Sequence, residues 1–338
     1  MNFILTSAIA FSVAADPISP VVLSHLSVTP RSGNRPEPTL LSIPSAQIFP
    51  FPTFTPLAQA SMLNARPARL PTLATPNTEN GKRFQQIMAD AIAQDLFQRS
   101  MGEIIQAIAE QFLGAAYRAG LLDQAAQETL VVNLQEFDCV LFVETVVAIA
   151  QGIAAQDYAY STFVEHLRRL RYRQAQLDGY CSRLHYFSDW MGDNQQRGTL
   201  QDVALRLGGI TTHKTLNFMS THRSRYPQLY NHEANYQCIV AMEANLGGTP
   251  INYIPQRQIR KVYPQLQPGD IIGITTQIPG LDVTHTGLVY RTSNGGVGLI
   301  HASPAGQVTI ARDLQHYVGN IHHGIGILVA RVNGADSH

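Results

Sequence analysis

Charge is scarce in this chain. Lys and Arg together number 24 of 338 residues, as do Asp and Glu, so charged side chains make up 14% and the formal net charge is zero. That balance argues against a general nucleic-acid binder, which carries a basic surplus to neutralise phosphates. So small a charged fraction is low for a cytosolic protein and compatible with an enzyme of the cell envelope. Cysteine is equally sparse. Cys139, Cys181 and Cys238 are an odd number without C-x-x-C spacing, so no zinc site is suggested and at least one thiol stays reduced. Cys181 and Cys238 have a disulfide open to them if the protein is exported; the expectation is that both are buried and reduced. No long apolar run is found at the start of the chain: the segment Phe3 to Ala14 is too short to span a bilayer as a helix. No transmembrane segment is expected.

The same segment ends in Ser12-Val13-Ala14, a small-x-small pattern of the kind a signal peptidase accepts. Against a secretory signal, it has no Lys or Arg before its apolar part. On the cleavage pattern, residues 1–16 are read as a signal peptide and the protein as exported, to the periplasm or cell envelope. From Pro17 to Pro76 the composition shifts, with 12 of the 19 prolines falling in this stretch. Repeated proline prevents both helix and central strand, so residues 17–79 read as an extended linker.

Folded structure is expected over 80–333 as a single catalytic domain, helical over 80–265 and β-rich over 266–333. Phe84, Ile87, Met88, Ala91 and Ile92 recur at the spacing of one helix face. Ser100 and Glu103 form a capping box for a second helix carrying Ile104, Ile105, Ile108 and Phe112, expected to end at Gly120. A strand is expected over Leu130–Leu134. Arg168 to Arg173 reads as the solvated basic face of a helix. Arg183 to Trp190, rich in Arg, His and aromatic rings, suits either a loop or the lining of a polar cleft. Residues 194–265 lack a strong period and are expected to form loops and short helices. The last seventy residues alternate short apolar segments with Gly, Pro and Asn turns, the pattern of an antiparallel meander or small barrel. Helices first and strands later make an α+β domain.

The chain is organised around Phe137-Asp138-Cys139-Val140-Leu141-Phe142-Val143-Glu144-Thr145. Asp138 is a preferred N-cap, so a buried helix should start at or beside Cys139. The unpaired N–H groups and dipole of a helix start favour an anion and are expected to lower the thiol pKa. A buried cysteine is more often a small core residue. Two histidines weigh against that reading here: His285 opens one strand and His301 lies near the end of the next. Hairpin geometry brings those ends together, where one imidazole serves as base to the thiol and the second orients it.

Asp138-Cys139, His285-Thr286-Gly287-Leu288-Val289 and Leu299-Ile300-His301-Ala302-Ser303 resemble, in order and context, the NlpC-type papain-like cell-wall hydrolases. The runs Val131-Val132-Asn133-Leu134, Phe142-Val143-Glu144, Arg171-Tyr172-Arg173, Ser182 to Trp190 and Gly280 to His285 look like one branch, the N-acetylmuramoyl-L-alanine amidase-like family. The resemblance implies a papain-like α+β fold and hydrolysis of the amide between N-acetylmuramic acid and L-alanine, in peptidoglycan or soluble muropeptides. It implies Cys139 as nucleophile, His285 as general base and then acid, and His301 as the orienting group, with no metal or cofactor. Tyr172, Arg183, His185 and Asp282 are the candidate substrate contacts. Three rival readings are open: a peptidase cutting between D-glutamate and the diamino acid, an acyltransferase, and a wall-binding protein that keeps the fold without catalysis. No SH3-like or other glycan-binding repeat is evident.

Overall fold

A computed structural model of the chain describes residues 78–125 and 127–334. The expected signal peptide and nearly all of the proline-rich stretch lie outside the described residues. Helix α1 (Glu79–Ala93) is capped by Thr78, whose side chain accepts from Gly81, and it buries Phe84, Ile87, Met88 and Ala91 as its spacing requires. Helix α2 (Met101–Glu110) begins with both arms of the Ser100/Glu103 capping box in place. It stops ten residues short of the expected end, and Gly120, at φ 72°, instead opens a 3-10 turn over Leu121–Asp123.

The expected strand over Leu130–Leu134 is irregular chain. Its backbone is bonded by side chains rather than by a neighbouring strand. Asn80 donates to Val132 O and accepts from Leu134 N, each at 2.9 Å, and Arg171 donates to Val131 O at 2.6 Å. Those contacts satisfy the groups that a ladder would otherwise take. Short strands β1 (Ala116–Tyr117) and β2 (Glu136–Phe137) pair in parallel just before the central helix. That helix, α3 (Cys139–Ala154), starts where the sequence places it and is buried on every side from Cys139 to Ala150. Around it and after it come α4 (Tyr160–Arg171) and α5 (Phe187–Gln196).

The region 80–265 is not purely helical. Strands β3 (Leu200–Asp202), β4 (Ile210–His213) and β5 (Pro250–Pro255) come from it, separated by α6 (Phe218–Thr221), α7 (Pro227–Tyr230) and α8 (Glu233–Asn245). They join β6 (Ile271–Thr276), β7 (Val283–Arg291), β8 (Val297–Ala302), β9 (Val308–Ala311) and β10 (Gly324–Val332) in one antiparallel sheet. Its order is β4-β5-β10-β6-β7-β8-β9, and β3 also pairs with β10. Strands β6 to β9 form the expected meander. The chain then crosses through α9 (Leu314–Gly319) so that β10 closes against β6.

Both faces of this sheet are covered, which explains why β6 and β8 read as continuous apolar runs. Ile271, Leu288, Ile300, Ala302 and Leu328 pack into the core shared with α1, α2 and α3. Ile272, Ile274, Val289, Leu299 and Ile327 pack on the other side against Leu314 and Val318 of α9. Gly273 is a strand glycine for a packing reason: a Cβ there would meet the Phe187 ring of α5 at 2.7 Å.

Candidate active site

Asp138 accepts from Val140 N at 3.0 Å and Leu141 N at 2.8 Å, fixing the first turn of α3 and with it Cys139. Across from it, the Thr286 hydroxyl donates to the Cys139 carbonyl at 2.9 Å, which ties β7 to the helix start. His285 is the residue before Thr286. Its Nε2 lies 2.7 Å from Nδ1 of His301, with the two rings edge to face at 86°. Gly287 makes that pairing sterically feasible, because a Cβ there would meet His301 Cβ and Ile300 O, both at 2.9 Å. The H-x-G pattern thus has a packing cause.

Two tyrosines complete the surroundings. The Tyr317 ring on α9 sits 4.7 Å from that of His301 and 6.2 Å from that of His285. Tyr117, on β1, pairs with Phe137, two residues before Cys139. Burial pushes both phenols up, and the charge of a Cys139 thiolate pushes them further, so both lie within electrostatic reach of the sulfur. Neither tyrosine is part of a motif. Thr286 lies inside one, and its place between His285 and Gly287 was the available signal.

The site is buried, and this reverses the expectation for the thiol. Cys139 is 1% exposed. Burial, followed by the charge of Asp138, pushes the thiol up to about 12, against the lowering effect of hydrogen bonds from Thr286 and from the helix-start N–H. Desolvation of the thiolate outweighs the helix terminus. His285 is held well below the ordinary imidazole value by burial and by His301, and burial pushes His301 down to about 4. The directions of these shifts all favour the neutral thiol and the neutral imidazoles. Asp138 itself is pushed up to about 6, by burial first and by the charge of Glu144, while the Leu141 N–H pulls the other way.

The four candidate substrate contacts all have protein partners. Tyr172 donates to Glu128 at 2.8 Å. Arg183 pairs with Asp123 and donates to Leu122 O at 2.9 Å. His185 Nε2 is 2.8 Å from Tyr180 O, and Asp282 accepts from the N–H and hydroxyl of Ser188, each at 2.7 Å. The structure thus places them in internal polar networks: Tyr172 and Arg183 brace the segment before Cys139, and Asp282 links α5 to the start of β7. The Arg168–Arg173 run is not a solvated face throughout. Arg168 pairs with Glu165 at the surface, but Arg171 is buried against Glu144 at 2.7 Å and Arg173 holds Asp189. Cys181 and Cys238 are bonded to each other, joining the turn Tyr180–Ser182 to α8. Cys238 is exposed rather than buried. Among the described residues no cluster of His, Cys, Asp and Glu could hold a metal, and no helix is long and apolar enough to cross a membrane.

Helices packed on an antiparallel sheet, with a cysteine at a helix start and a bonded histidine pair on neighbouring strands, define an α+β protein of the kind that houses hydrolases. The chain belongs to the AmiA-like, N-acetylmuramoyl-L-alanine amidase-like family of cell-wall hydrolases, whose family model matches residues 107–327. It is similar to a crystal structure of an N-acetylmuramoyl-L-alanine amidase from Bacteroides uniformis ATCC 8492, at 32% identity and a TM-score of 0.66. The match covers 69% of this chain and 99% of that one. A Bacteroides fragilis protein, named a candidate xylanase, is 34% identical over 67% of this chain and all of its own, with a TM-score of 0.63. A Legionella pneumophila protein shares the fold, at 21% identity over 75% of this chain and 94% of its own, with a TM-score of 0.57. No curated protein matches the chain.

Proposed function

We propose that the protein is a cysteine-dependent amidase on a papain-like fold of the NlpC type. It hydrolyses the amide between N-acetylmuramic acid and L-alanine in peptidoglycan fragments. The observation that carries this reading is the 2.7 Å contact between His285 Nε2 and His301 Nδ1, beside the helix start that holds Cys139. With Nε2 engaged by His301, the atom of His285 that serves the thiol is Nδ1. Both partners start neutral, so the proton passes to His285 as the sulfur attacks the lactyl carbonyl, not before. The Cys139 N–H, at the positive end of α3, stabilises the oxyanion. His285 then protonates the departing L-alanine nitrogen, which leaves with the peptide stem. Water, deprotonated by His285, cleaves the thioester and releases the muramic carboxylate.

A glycosidase reading gains nothing from the site. Glycoside hydrolysis uses two carboxyl groups flanking the bond. Asp138 caps α3, and Glu144 holds Arg171 and the Trp190 indole. Export to the periplasm or cell envelope is part of the proposal, supported by the Cys181–Cys238 disulfide, since such bonds persist in oxidising compartments. Residues 80–333 are then the catalytic domain, behind a linker over 17–79 and a leader over 1–16.

The test is mass spectrometry of a disaccharide-tripeptide muropeptide incubated with the protein and with Cys139→Ala. Free tripeptide and free disaccharide, both lost in the variant, are the expected products. A cut between D-glutamate and the diamino acid would make the protein an endopeptidase, and product only with an added amine acceptor would make it an acyltransferase.

A further inference from the structure

A 2.7 Å separation between two imidazole nitrogens holds one proton, and it can belong to either ring. If His285 carries it on Nε2 and donates to His301, then His285 Nδ1 is a bare lone pair and can act as a base. If His301 carries it on Nδ1, neutral His285 must hold its own proton on Nδ1 and can accept nothing there. The two arrangements differ only in tautomer, and only the first is competent. Something beside the pair has to prefer it.

Tyr317 is placed to do so. Helix α9 is anchored by Asp313, which accepts from His316 N at 2.8 Å and receives both Arg260 at 2.8 Å and the Tyr263 hydroxyl at 3.2 Å. Leu314 and Val318, on either side of Tyr317 in sequence, are fully buried and anchor the helix in the core. The half-buried Tyr317 ring is thereby set against both histidines, with its hydroxyl 3.5 Å from His301 Nδ1, the same atom that faces His285. Hydrogen bonds of this length are common in unliganded sites and tighten when substrate binds.

We infer that Tyr317 selects the working tautomer of the histidine pair: in a three-centre arrangement its hydroxyl points its proton at the one lone pair of His301 Nδ1 that also accepts His285 Nε2–H, which disfavours a proton on that atom and so leaves Nδ1 of His285 as the base. Tyr317 is a positioning residue, acting on His285 through His301. Burial pushes the phenol up, which favours its protonated form. The inference rests on the Cys139–His285 reading above.

Two variants separate the hydroxyl from the ring. Tyr317→Phe keeps the packing, and Tyr317→Leu removes it. Ring 15N shifts of His285 and His301, measured without substrate, report the tautomers directly. In Tyr317→Phe the proton is expected to redistribute toward His301 Nδ1, and kcat on the muropeptide to fall about threefold to tenfold with KM unchanged, the size of one weak hydrogen bond. Superimposable 15N spectra for Tyr317→Phe and the parent would overturn the inference, as would redistributed tautomers with an unchanged kcat. A loss confined to Tyr317→Leu would overturn it too, by showing that only the ring matters. If the parent protein cleaves no muropeptide, the amidase reading fails, and the 15N spectra still decide the tautomer question.

Discussion

The side chain of Thr286 is hydrogen-bonded to the backbone of Cys139, its hydroxyl donating to the carbonyl at 2.9 Å. Strand β7 and helix α3 are thereby joined at Cys139 and next to His285, the two residues to which the proposed mechanism assigns the proton transfer. Thr286→Val keeps the shape and removes the donor. It should cost about 1 kcal/mol in urea unfolding. Steady-state kinetics should show a larger loss in kcat than in 1/KM, because misalignment acts on the reacting geometry. Equal losses in both would place Thr286 in folding alone.

Asp138 carries a buried carboxylate whose folded value, about 6, lies above the ordinary Asp value. The folded state therefore binds the extra proton, and the associated stability is full below about pH 4 and lost as pH rises to about 6. Asp138→Asn keeps an acceptor for the first turn and removes the charge. Urea unfolding across pH 4 to 7 should show a flatter profile for Asp138→Asn than for the parent. The same charge helps to hold the Cys139 thiol up, so iodoacetamide should modify the Asn variant faster at pH 8. Asp138→Ala, which removes the cap, should lose about 1–2 kcal/mol.

At Gly287 the expected failure is local. A methyl group at this position meets His301 Cβ and Ile300 O at 2.9 Å, and the rigid ladder between β7 and β8 leaves the imidazole as the part that yields. Gly287→Ala should reduce kcat about a hundredfold while the protein stays folded, as a displacement near 1 Å does in a site of this kind. Comparison of kcat with the circular dichroism melt checks both halves. A variant with parental kcat would remove the packing explanation of this glycine.

The disulfide closes a loop of 57 residues, and loops of that size gain about 4 kcal/mol on the chain-entropy estimate. Replacing both Cys181 and Cys238 by Ser should lower unfolding stability by about 2–4 kcal/mol, with kcat at 25 °C retained, since neither sulfur touches the histidine pair. Denaturant titration of the parent with and without reductant should reproduce the difference.

What could be read in the sequence was local. The Asp138 cap, the Ser100/Glu103 box and the spacing of Phe84, Ile87, Met88 and Ala91 depend on neighbours within a few residues, and all three appear in place. Strands β6, β7, β8 and β10 were equally legible, because burial on both faces leaves a largely apolar signature. The failures trace to partners far along the chain. Leu130–Leu134 loses its ladder to Asn80, some fifty residues away, and Arg171 leaves solvent because Glu144 waits inside. Strands β3 and β4 are short and half exposed, so only pairing with β10 and β5 makes them strands. At the site, Cys139, His285 and His301 were named by motif. The protonation state of the thiol was not readable, since desolvation depends on everything packed around it. Tyr317 sits on a six-residue helix between strands and carries no pattern of its own.

One consequence follows from the burial of α3 on every side. Cys139 is the first residue of a helix buried in the core and is itself almost wholly covered, so on the proposed function the substrate has to come to it. If movement of the covering chain is what admits substrate, that movement caps turnover whatever the chemistry, and raising solvent viscosity should slow the enzyme.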